Sequence, residues 1–146
     1  MKNQKIFCYP DIVLNEFIPQ KLQISVMMDF SKKIKKKIAF YAGENDKSFR
    51  NLDLFKTKLK NKPKIEGFIF FTLLQFCYNG KTNIQLINKT IKQNYSLYFV
   101  RENFIIKNKK DLSELKKDLI FFSLTNRKIL NLLVNNSKDF WKFDTL

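Results

Sequence analysis

The chain has 146 residues, with 28 lysines and arginines against 13 acidic residues, a formal net charge of +15, and no histidine. Its 45% hydrophobic residues and 16 phenylalanines exclude a disordered chain, because that much apolar surface offsets the entropy of ordering. The missing imidazole excludes Ser-His-Asp and Cys-His catalysis and every histidine metal site, and two cysteines, Cys8 and Cys77, are too few for a zinc ligand set or a disulfide scaffold.

The N-terminal apolar run ends at Pro10, too short for a signal-peptide core, so a cytoplasmic, reduced setting is expected. Lys5–Tyr9 predicts a first buried strand. Pro19 then opens a helix in which Ile18, Leu22, Val26, Phe30 and Ile34 recur every four residues, predicting its core-facing stripe. The densest lysine run, from Lys32 to Lys37, falls where this helix should end, and cations there suit the macrodipole. Lys37–Ala42 predicts the second strand, and Leu52, Phe55 and Leu59 a helix stopped by Pro63. Gly67–Phe71 predicts the third strand, and Ile84, Ile87 and Ile91 a helix behind a Thr82/Asn83 cap. Tyr95–Val100 predicts the fourth strand. Asp111, with Glu114 three residues on, reads as a capping box for a helix burying Leu112, Leu115, Leu119 and Phe122. A last helix is expected from Asn126, with Ile129, Leu130 and Leu133. The longest apolar stretch, Phe68 to Tyr78, is far below the roughly 20 residues of a spanning helix, so no membrane span is expected.

This order implies a three-layer α/β domain over residues 1–134: a mostly parallel four-stranded sheet, helices on both faces, and C-terminal helices. Residues 135–146 form an aromatic tail, and Phe140, Trp141 and Phe143 offer an anchor for a second copy or a partner.

In open parallel sheets ligands bind beyond the carboxyl ends of the strands. Without histidine, Glu44 and Glu102 are the candidate acid and base there, and Tyr9, Thr72, Gln75, Arg101 and Asn103 the candidate substrate-binding groups. A competing reading has each carboxylate capping a helix or pairing with a lysine, and Asn103 shaping a turn. No metal site is expected. No G-x-G-x-x-G or G-K-[ST] loop occurs among the three glycines, which leaves any cofactor unassigned. Cys8 and Cys77 read as buried thiols on the first and third strands, and Phe70, Phe71 and Phe76 as core. The positive charge is lysine apart from Arg50, Arg101 and Arg127, so it consists of point charges rather than phosphate-reading forks. It is read either as a polyanion footprint or as solvated lysines of an AT-rich coding sequence.

Three stretches carry a resemblance: Ile18-Pro19-Gln20 with the helix Leu22 to Phe30, Ile65 to Gln75, and Leu97 to Asn103 followed by Ile106-Lys107-Asn108. In order and spacing they resemble the sporadic carbohydrate cluster proteins of bacterial surface-polysaccharide and lipopolysaccharide gene clusters. Ala42-Gly43-Glu44 keeps the glutamate of that family's turn, Gln75 and Glu102-Asn103 match, and Tyr9 stands where an arginine is usual. The resemblance implies a carbohydrate-biosynthesis role, with a sugar nucleotide or a pathway enzyme as partner. More remotely the layout resembles the serine recombinase catalytic domain, so the fold is expected to be resolvase-like or flavodoxin-like. The loop from Tyr9 to Val13 has neither the arginine nor the serine of that family, and Leu73 to Phe76 has none of its arginines. The alternatives are therefore a nucleic-acid-binding module lacking recombination chemistry, or a non-catalytic assembly partner.

Overall fold

The computed structural model describes residues 4–78 and 81–117. The backbone divides into two units after Asn108, and the sheet lies wholly in the first. Its elements are β1 (Lys5–Tyr9), α1 (Gln20–Lys33), β2 (Lys37–Tyr41), α2 (Asp53–Lys60), β3 (Gly67–Phe70), β4 (Cys77–Tyr78), β5 (Lys81–Thr82), α3 (Ile84–Lys92), β6 (Ser96–Phe99) and β7 (Phe104–Ile106). The sheet order is β2-β1-β3-β6-β7, with the first four strands parallel and β7 antiparallel on β6. Right-handed crossovers put α1, which leads to one side of β1, opposite α2 and α3, which lead to the other. In the second unit a helix covers 109–117, with Leu112 and Leu115 buried.

Strand alternation divides the core by chemistry. Ile6, Cys8, Ile69 and Tyr98 pack with Met27 and Phe30 of α1. Phe68, Phe70 and Tyr9 face the other way, onto Phe55 of α2. The Phe55 ring meets Tyr9, Phe68, Phe70 and Phe76 nearly edge-on, at centroid distances of 5.5, 4.9, 5.2 and 5.8 Å. Such edge-on pairs add to the area that they bury. Gly67 is needed where β3 meets β6, because a Cβ there would run into the backbone carbonyl of Ser96.

The three helices of this unit end alike. Two residues beyond each lies a left-handed position, Lys35 (φ 57°), Lys62 (φ 46°) or Asn94 (φ 65°). Lys35 and Asn94 complete Schellman closures: Lys35 and Lys36 donate to Lys32 and Ser31, and Asn94 and Tyr95 donate to Ile91 and Thr90. After α2 the closure is incomplete: Lys62 donates to Leu59 at 3.2 Å, but the next residue, Pro63, has no N–H to complete it.

Five expectations need correction. The sheet has a fifth strand, β7, three residues long and turned back by Asn103 in the left-handed region (φ 51°). β2 is an open edge rather than a covered strand, with Phe40 and Tyr41 exposed. On α1, Leu22 and Val26 are 55% and 42% exposed, while Gln23, Met27, Phe30 and Ser31 are buried. A repeat of four gains about 40° per step on a helix of 3.6 residues per turn, so the series leaves the core at its early end. Cys77 lies in β4 rather than on the third strand, because Thr72 caps a 3-10 turn at Leu73–Phe76 that ends β3 first. The last described helix begins at 109, which puts Asp111 inside its first turn rather than at the cap. Leu119, Phe122, the helix expected from Asn126 and the aromatic tail lie outside the described residues.

Candidate functional site at the strand-exit edge

The carboxyl ends of β1, β2, β3 and β6 share one edge, and polar side chains tie the exit loops there to each other and to α1 and α2. The Thr72 hydroxyl donates to Glu102 Oε1 at 2.5 Å, and the Leu73 N–H donates to Glu102 Oε2 at 3.0 Å. Gln75 Oε1 accepts from the Thr72 N–H at 3.1 Å, while its Nε2 donates to the carbonyls of Tyr9 and Pro10 at 3.1 and 3.3 Å. Thr72, Gln75 and Glu102 thus join the exits of β1, β3 and β6.

Glu44 is engaged elsewhere. Its carboxylate accepts from the N–H groups of Leu54 and Phe55, at 3.1 and 2.7 Å, in the first turn of α2. These donors have no partner inside the helix, and the helix dipole favours an anion there. The order β2-β1-β3-β6 puts the strands leading to Glu44 and Glu102 three intervals apart, about 14 Å at ~4.8 Å per interval. Paired carboxylates that flank one scissile bond stand roughly 5–9.5 Å apart.

Tyr9 is 1% exposed, and its ring lies between Phe55 and Phe70. Its hydroxyl is buried with no hydrogen-bond partner among the described residues. Burial, and secondarily the negative charge of Glu44, push its pKa up. Arg101 and Asn103 are exposed in the turn between β6 and β7, where the Asn103 N–H closes on the Val100 carbonyl at 3.1 Å.

Asp11 and Gln23 form a buried pair at this edge that the residue pattern did not single out. Asp11 is 7% exposed and Gln23 0%. Gln23 Oε1 accepts from the Asp11 N–H at 2.7 Å, and its Nε2 donates to the carbonyls of Asp11 and Ile18 at 2.9 and 3.0 Å. The Asp11 carboxylate accepts from the Val13 N–H at 2.9 Å. Burial raises its pKa, against the lowering effect of the Val13 and Leu14 N–H groups and the Arg101 charge. The amide was detectable only as a polar residue on a helix face that 3.6-residue spacing turns inward.

Cys8 is buried on β1 with its thiol pushed up to about 12 by burial, and Cys77 is half-buried with its thiol 3.3 Å from the Thr82 hydroxyl. Both are free. Among the described residues no three Cys, Asp or Glu side chains converge as a metal ion requires, and no helix is long and apolar enough to cross a membrane. An open groove of about 390 Å³ runs along the solvent side of α3, lined by Gln85, Asn88, Lys89, Lys92 and Gln93.

Among solved structures, the chain is similar to the crystal structure of a resolvase family site-specific recombinase from Streptococcus pneumoniae. The TM-score is 0.62 at 16% sequence identity, over 92% of this chain and 99% of that chain. The fold is resolvase-like. No protein-family model and no curated protein matches the chain, so the sporadic carbohydrate cluster resemblance gains no support beyond the residues that suggested it.

Proposed function

We propose that this chain is a nucleic-acid-binding module with a resolvase-like fold and without strand-cleaving chemistry. The observation that carries the reading is the engagement of the loop edge. Glu44, Thr72, Gln75 and Glu102, the groups best suited to act on a substrate, hold backbone and side-chain partners that shape the loops themselves. The exit of β1 offers Pro10 and Asp11 rather than a serine nucleophile, and β3 leads into Leu73 and Leu74 rather than arginines that would stabilise a phosphoryl transition state. The solved neighbour is described as a site-specific recombinase, and a charge of +15 attracts a polyanion over long range.

Fluorescence anisotropy with a labelled duplex at about 50 mM salt tests this, with binding expected to weaken steeply and log-linearly as salt rises. The duplex should remain uncut. Lack of duplex binding, together with a thermal shift on adding sugar nucleotides that Glu44→Gln and Glu102→Gln abolish, would overturn the reading in favour of the carbohydrate role.

A further inference from the structure

We infer that the amino-terminal edge of the sheet, opposite the exit loops, is the face that lies along the phosphate backbone of a nucleic-acid duplex. The inference rests on the nucleic-acid reading above and adds the face and the form of the ligand.

Topology gathers the charge. In a parallel sheet with returning helices, the last turns of α1, α2 and α3 and the first residues of the strands share one edge. Lys33, Lys35, Lys37, Lys60, Lys62 and Lys92 all lie there and all are exposed. Asp11, Glu44, Asp46, Asp53 and Glu102 belong to the opposite edge, and Asp29 sits one turn back from the end of α1. Glu66, just before β3, is held by the Tyr98 hydroxyl at 2.7 and 2.9 Å and by Lys36 at 3.8 Å. The helix C-termini that end at this edge bring about −0.5 charge each, roughly −1.5 in all, which six lysines exceed several-fold.

Left-handed backbone also occurs at the loop edge, at Leu52 (φ 53°) and Asn103 (φ 51°), but at the ends of α1 and α2 it carries a cation. A left-handed position after a helix favours glycine, because a β-carbon there crowds the backbone. At the third helix the position is Asn94, a residue that tolerates it, but at the first two it is lysine. Stability is given up at two points of one edge, and the residue gained at each is a cation.

The form of the ligand follows from what the edge lacks. The exposed large hydrophobics are Ile12, Phe17, Leu54 and Leu74 at the loop edge, Phe40 and Tyr41 at the loop-side end of β2, and Leu22, Val26 and Met28 along α1. None of them lies at the lysine edge, so among the described residues it presents no ring for unpaired bases to stack on and no wedge for a bilayer. A duplex keeps its bases inside and its phosphates outside, which suits lysine point charges. Five strands span about 19 Å, the axial length of about five to six base pairs.

The test compares two double variants of equal charge change in the full chain. Lys35→Gly/Lys62→Gly should melt at or above the temperature of the parent, yet bind a 20-base-pair duplex about tenfold more weakly at 50 mM salt, with the log-log salt slope reduced by about 2. Lys47→Gln/Lys81→Gln, at the loop edge, should leave affinity within about twofold. If the loop-edge pair produces the larger loss, the face assignment falls while the nucleic-acid reading stands. If the parent binds no duplex, the reading itself falls. Equal or tighter binding of the single strand, or of vesicles with anionic lipid, through the same two lysines would overturn the duplex assignment.

Discussion

At the loop edge, Glu44 and Glu102 receive backbone N–H groups where α2 and the turn at Leu73–Phe76 begin. At the opposite edge, lysines crowd the places where α1, α2 and α3 end, and two of them occupy strained backbone positions. Both patterns answer the same helix dipole, which favours anions at its start and cations at its end. In a lone helix this preference is a local capping matter. In a parallel sheet all helix starts lie on one edge and all helix ends on the other, so separate caps add into two fields of opposite sign. At the edge that usually carries the chemistry of such folds, Glu44, Thr72, Gln75 and Glu102 are engaged internally, and the edge that usually carries none gathers six exposed lysines.

The largest disruption of this comparison should come from Phe55→Ala. Phe55 anchors α2, whose start is capped by Glu44 and whose end carries Lys60 and Lys62, so both edges should loosen together. A loss of about 3–5 kcal/mol is expected in urea unfolding. Glu102→Ala should separate the edges: it removes a charged acceptor of two hydrogen bonds at an exposed site and should cost about 1–2 kcal/mol. Hydrogen exchange should then quicken at Leu73 while the last turns of the helices stay unchanged. Tyr9→Phe removes a buried hydroxyl with no partner among the described residues, so it should raise stability by about 1 kcal/mol. An unchanged or lower melting temperature would show that the hydroxyl has a partner. Lys35→Gly alone should stabilise by up to about 1 kcal/mol, opposite in sign to truncation of Glu102.

Asp11 gives the smallest and most specific test. Its folded pKa is raised by burial, so its contribution to stability is present below the ordinary carboxylate range and is lost as pH rises through the raised value. Asp11→Asn cannot ionise, and its melting temperature relative to the parent should therefore climb as pH rises through and above the ordinary carboxylate range. A constant difference across that range would remove burial as the cause.

Much of the candidate site was legible as position and little of it as partnership. Glu44, Thr72, Gln75 and Glu102 were read as lying beyond strand ends, and there they are, with Tyr9 closing β1. That Glu44 would reach the first turn of α2, ten residues on, and that Gln75 would bond carbonyls 65 and 66 residues away, had no signal in spacing. The Asp11–Gln23 pair was missed for a related reason: a four-residue repeat on α1 drew attention to Leu22 and Val26 and away from the face that 3.6-residue geometry buries.

By itself the sequence determined the four parallel strands, to within a residue at each end, and the three helices between them. It did so because hydrophobic runs, Pro19, Pro63 and the Asn83 cap act locally. It also set the sign and type of the charge. Only the tertiary structure decided the strand order that parts Glu44 from Glu102, the exposure of β2, the added strand β7 and the gathering of the lysines at one edge. Those features depend on which strands lie side by side, and pairing is settled by packing between residues far apart in the chain, which no local pattern records.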